Sequence, residues 1–153
     1  MRRVSSIALV ALLVLVGCGG SSGPSESSFK KSYSSEKAKL KKLGEDVGQA
    51  VEGAAKQNDG TLVKEFEGLA GRATTLAGEL GQLQAPTKFR TELASLQSSI
   101  TQVAGTLRQI EAAAAANDES AAKAGGEAIV ADSQQVKAID DALSKKLGLP
   151  STP

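Results

Sequence analysis

From Leu62 to Leu83, and again from Phe89 to Ala114, apolar side chains recur in steps of three and four without a missed step. An α-helix completes a turn in about 3.6 residues, so this spacing keeps each run on one face and leaves the opposite face polar. The first run is Leu62, Phe66, Leu69, Ala73, Leu76, Leu80 and Leu83; the second is Phe89, Leu93, Leu96, Ile100, Val103, Leu107, Ile110 and Ala114. A strand would need alternation by two, which neither run shows. Each run therefore reads as an amphipathic helix that must bury its stripe against a partner.

Two further segments carry the same pattern. One begins with Phe29 and Tyr33 and continues through Leu40, Leu43, Val47, Ala50 and Ala54; the other, weaker, carries Ile129, Val136, Ile139, Leu143 and Leu147. Turn and capping residues separate them: Asn58-Asp59-Gly60-Thr61, then Ala85-Pro86-Thr87, then Asn117-Asp118. Gly148-Leu149-Pro150 is a helix stop, because glycine accepts the left-handed conformation and proline cannot continue the helix. Four helices of about 25 to 30 residues, each roughly 40 Å long and joined by short connections, run antiparallel to their neighbours. The expected fold is all-α, an up-down-up-down four-helix bundle over 28–149. A single long hairpin or an oligomeric coiled coil would require the turns to vanish or another chain to cover the stripes.

Composition supports helix over sheet and removes several function classes. Aromatic residues make up 3% of the chain, and there is no histidine and no tryptophan. Eighteen basic groups face 17 acidic ones, so no bulk field recruits nucleic acid, and none is expected as a partner. Without histidine, the usual proton shuttle and the ligand sets of haem or ferritin-like bundles are missing. The single cysteine cannot form an internal disulfide or a thiolate cluster.

That cysteine, Cys18, sits where an apolar run gives way to glycine and serine. Arg2 and Arg3 precede Ile7 to Val16 (IALVALLVLV), about half of the roughly 20 residues needed to span a bilayer. This is the pattern of a signal peptide. Leu15-Val16-Gly17-Cys18 resembles a bacterial lipobox, which identifies the chain as similar to bacterial lipoproteins over about its first 20 residues. The resemblance implies removal of residues 1–17 and a diacylglyceryl group on Cys18, usually with a further acyl chain such as palmitate on the new N-terminus. It further implies export and membrane attachment through the lipid anchor on the extracytoplasmic side of the cell envelope. Residues 18–27 then read as a flexible linker and 150–153 as a disordered tail.

No motif in the mature region points to catalysis, a cofactor or a metal. The paired carboxylates Glu45-Asp46, Asp118-Glu119 and Asp140-Asp141 are sequence neighbours that diverge by about 100° on a helix, so capping and solvation account for them. Gly44 and Gly48 form a GxxxG within a charged segment, where the motif carries no meaning. Asp132 is the one polar residue on an apolar stripe, level with Ala50, Leu69 and Val103. It is either a buried polar contact or, after a small helix rotation, a residue at the stripe's edge.

The bundle's two ends differ. The end near Cys18 collects Phe29, Tyr33, Phe89 and several leucines, together with a basic set that includes Lys30, Lys31, Lys88, Arg90, Lys145 and Lys146. Those cations either meet anionic headgroups and envelope polymers or are simply solvated. The far end gathers Ala54, Ala112 to Ala116, Ala121, Ala122 and Ala124, with Gly125-Gly126 beside them. Small side chains there give either close helix approach or a loosely packed tip. The expected role is a non-catalytic binding or scaffolding module, with envelope proteins among its expected partners. The alternative is a carrier or sensor of an apolar ligand, which an empty apolar cavity at the tip would favour.

Overall fold

The computed structural model describes residues 23–151. Among them four long helices follow one another: α1 (Glu26–Gly53), α2 (Asp59–Gln82), α3 (Arg90–Ala115) and α4 (Glu119–Leu147). Short 3-10 turns extend α1 at Ala54–Lys56 and precede α3 at Thr87–Phe89. The chain is an all-α four-helix arrangement in which sequence neighbours pack together. Helix α1 opens at Glu26, two residues ahead of the expected start at 28, because the Ser25 hydroxyl caps it by accepting from the Ser28 N–H at 3.1 Å.

The other helix ends follow equally local chemistry. Asn58 Oδ1 accepts from the Thr61 N–H at 3.0 Å and starts α2, and Asp118 Oδ1 accepts from the Ala121 N–H at 2.9 Å and starts α4. Between α3 and α4 the chain reverses at Asn117, a non-glycine residue with φ of 54°. That left-handed residue lets the Asp118 N–H reach back to the Ala113 carbonyl at 2.9 Å and close α3. Gly148, with φ of 61°, does the same for α4 through Leu149 N–H to Ser144 O at 2.9 Å.

The four stripes meet in one continuous core. Phe66, Leu80, Leu96, Ile100, Leu107, Ile129 and Leu143 are fully buried within it. At the end where α1 starts and α4 finishes, here the basal end, Phe29 stacks on Phe89 with ring centroids 5.5 Å apart and touches Tyr33 at 5.9 Å. Helices α2, α3 and α4 pack extensively in sequence, whereas α1 meets α4 over a short length only. The seam between α1 and α4 is therefore the open side of the bundle.

Glycine separates the interfaces that are tight from those that are not. A Cβ at Gly125 would lie 2.5 Å from Ile110 Cγ1, so α4 reaches α3 at this level only because the side chain is absent. Gly125 thus serves packing. At Gly44 and Gly48 a Cβ would meet nothing within 4 Å, in keeping with their reading as a chance GxxxG.

Candidate functional site

At the distal end, where α1 and α3 finish and α2 and α4 begin, the helices leave an open cleft of about 900 Å³. Its floor is apolar: Leu62 and Phe66 of α2 with Ile110, Ala113 and Ala114 of α3. Val51 of α1 and Ala54 of the 3-10 turn that extends it form one lip, and Ala122, Gly126 and Val130 of α4 form the other. The cause is side-chain volume. Alanines and a glycine at the levels where the other end carries phenylalanine and leucine cannot fill the space between four helices. Val130, 49% exposed, is the large apolar side chain left facing solvent beside the cleft.

A smaller slot of about 310 Å³ lies farther along the same α1–α4 seam, with Leu40, Leu43 and Val47 on one side, Val136 on the other, and Ile100 and Val103 beneath. The distal cleft falls within the roughly 300–1,000 Å³ of small-molecule sites and has their character of an apolar body with a few polar groups at the mouth. Those groups are Asp59, Asn117, Asp118, Glu119, Lys123 and Glu127, with Gln57 on the wall. Gln57 Oε1 is buried and has no hydrogen-bond partner.

Asp132, singled out in the sequence, is buried at 7% exposure and lines neither cavity. Its two oxygens accept from Gln102 Nε2 and Thr106 Oγ1, each at 2.6 Å. Both partners belong to α3 and flank Val103, so the carboxylate ties α3 to α4 at a fixed register. Of the two readings open for Asp132, the buried polar contact is the one observed.

A second buried carboxylate replaces an expectation. Asp140, read in the sequence as a solvated neighbour of Asp141, is 1% exposed and occupies the stripe of α4, with Ile139 displaced to its flank. Helix phase explains the exchange: at about 100° per residue Asp140 lies within about 20° of the line through Ile129 and Leu147, whereas Ile139 lies about 80° to its side. Asp140 accepts from the Tyr33 hydroxyl at 2.5 Å, from Lys37 Nζ at 2.8 Å and from the Ser144 hydroxyl at 3.3 Å. Lys37 Nζ also donates to Ser144 Oγ at 2.5 Å. Burial pushes the Tyr33 phenol well above its ordinary range, and the adjacent Asp140 carboxylate adds to the shift. No substrate-sized opening reaches Tyr33, which is fully buried; the cluster fastens the basal ends of α1 and α4.

The basic groups of the basal end are largely matched within the fold. Lys88 pairs with Glu26 at 2.5 Å, Lys146 with Glu92, Lys39 with Glu79 at 2.9 Å, and Lys41 with Glu45 at 2.8 Å. Lys30 donates to the Gly148 carbonyl at 3.0 Å, and Arg90 Nε to the Ala85 carbonyl at 3.2 Å.

Cys18 lies outside the described residues. Among those residues, no group of three or more histidine, cysteine, aspartate or glutamate side chains is placed to hold a metal ion, and no helix is long and apolar enough to cross a membrane. No protein-family model, no curated protein and no solved structure matches this chain.

Proposed function

We propose that this chain is a lipid-anchored cell-envelope protein whose helical bundle is a non-catalytic binding module, holding a small apolar molecule or acyl chain in the distal cleft. The cleft carries this reading. Apolar surface open to water at the tip is unfavourable by about 25 cal/mol per Å² relative to its being covered, and a concave apolar floor is covered best by an apolar guest. An acylated Cys18 would supply the anchor; it precedes α1 in the chain, and α1 starts at the opposite end of the bundle from the cleft, so the mouth would face away from the membrane that holds the protein.

Scaffolding through the basic end finds less support, since most cations there already have partners within the fold. A catalytic role finds less still. The cleft's polar groups are carboxylates, one ammonium and amides, with no histidine in the chain to move a proton at neutral pH.

The test is native mass spectrometry of the protein released gently from its own membrane, paired with the intact mass of the denatured chain. The denatured chain should begin at an acylated Cys18, and the native spectrum should carry a non-covalent apolar adduct. Ala122→Trp, which places an indole at the cleft's lip on a half-buried position, should remove the adduct and keep the helical circular dichroism. A free thiol on a chain retaining residues 1–17 would refute the anchor, and an unliganded native mass in the wild type would refute the carrier reading.

A further inference from the structure

We infer that the distal cleft selects an apolar guest with a cationic, hydrogen-bond-donating head, a single-chain alkylammonium in its simplest form, and disfavours the anionic head of a fatty acid. The inference rests on the binding function proposed above and names its ligand class.

The charge of the rim around the apolar floor carries the inference: four carboxylates, Asp59, Asp118, Glu119 and Glu127, stand around the mouth against one ammonium, Lys123. Helix ends do not reverse this sign. Each helix terminus carries roughly half a charge, positive at its start and negative at its finish. The antiparallel order brings two starts, of α2 and α4, and two finishes, of α1 and α3, to the same tip, so the backbone contributions oppose one another and the side chains decide.

The mouth thus presents acceptors to the head of a guest whose tail lies against Phe66, Ile110 and Ala114, and an ammonium brings donors to them where a carboxylate brings only further acceptors.

Only the head should respond to salt. The mouth residues are exposed, and at physiological ionic strength charges farther apart than about 8 Å are screened, so selection is modest and falls as salt rises. The tail's contribution does not share that dependence.

The experiment compares decylammonium, decanol and decanoate as displacers of aminoanthracene from the full chain in phosphatidylcholine bilayer discs. Discs bearing the Ala122→Trp chain define the signal that is not from the cleft, and free amphiphile is measured by dialysis. Decylammonium should displace the probe at about tenfold lower free concentration than decanoate in low salt, with decanol between them. In the double variant Glu119→Gln, Glu127→Gln the ratio should shrink to about threefold or less, with decanol unchanged. Decanoate displacing as well as decylammonium overturns the head selection and leaves the cleft reading standing. Absence of a probe signal above the Ala122→Trp discs overturns the cleft reading itself, and the head selection with it.

Discussion

Tyr33 and Asp140, 107 residues apart in the chain, are joined by a 2.5 Å hydrogen bond in the buried interface between α1 and α4. This contact, with Lys37 and Ser144, closes the basal end of a seam that is otherwise open through the smaller slot to the distal cleft.

The chain's single tyrosine makes that contact observable. With no tryptophan present, phenolate absorbance reports Tyr33 alone. The folded pKa is raised above its unfolded value of about 10, so the phenol's contribution to stability is intact below pH 10 and lost as pH rises beyond it. Phenolate absorbance should therefore stay flat through pH 10 and appear together with the loss of helical circular dichroism. A simple titration near pH 10 in a chain that keeps its helicity would contradict the burial of Tyr33.

Removing Asp140 should cost more than removing Asp132. Asp140→Ala leaves the Lys37 ammonium and the Tyr33 and Ser144 hydroxyls without their shared acceptor, a loss of about 3–5 kcal/mol. Asp132→Ala leaves neutral donors from Gln102 and Thr106, a loss of about 1–3 kcal/mol. Urea denaturation of both variants measures the difference, and equal values would show that the Lys37 charge is not held by Asp140.

Glycine substitutions should divide by interface rather than by helix propensity. Gly78→Ala, where a Cβ meets nothing within 4 Å, should stabilise by about 0.5–1 kcal/mol. Gly125→Ala inserts a methyl against Ile110 and should destabilise by about 1–3 kcal/mol despite the same gain in propensity. Thermal melts that move in the same direction for both would contradict the close approach of α3 and α4.

At low pH the surface pairs between helices should fail first. The hydrogen bond from Arg72 holds the Asp46 carboxyl below the usual range, and the one from Lys146 does the same for Glu92. Both contributions are complete above the unfolded carboxylate pKa of about 4 and fade as pH falls through the depressed folded values. Melting temperature should drop across that acid window, and Arg72→Ala should flatten part of the drop. An unchanged profile in Arg72→Ala would show that the Asp46 pair, 2.7 Å long in the fold, adds nothing in solution.

The helices were legible in the sequence because steps such as Leu93, Leu96, Ile100 and Val103 leave no other regular structure able to bury them. The turns were legible from capping chemistry, as at Asn58 and Asp118. Asp140 was not, because its neighbour Ile139 makes an equally apolar claim on the α4 stripe. Only the fixed phase of that helix from Ile129 onward, together with Tyr33 and Lys37 arriving from α1, separates the two. The cleft was legible in part: the run of alanines announced thin packing at the tip. Whether thin packing closes or gapes depends on each interface, and here Gly125 lets α3 and α4 meet while the α1–α4 seam stays open. Gln57, outside every stripe, gave no signal as a cleft residue.

The most direct test of an apolar binding cleft is methyl nuclear magnetic resonance of the full chain in bilayer discs, titrated with decylammonium. Methyl signals of Val51, Leu62, Ile110 and Val130 should shift progressively and saturate, while those of Leu93 and Leu143 at the basal end stay in place. Shifts confined to basal methyls, or none that saturate at the distal end, would contradict the account.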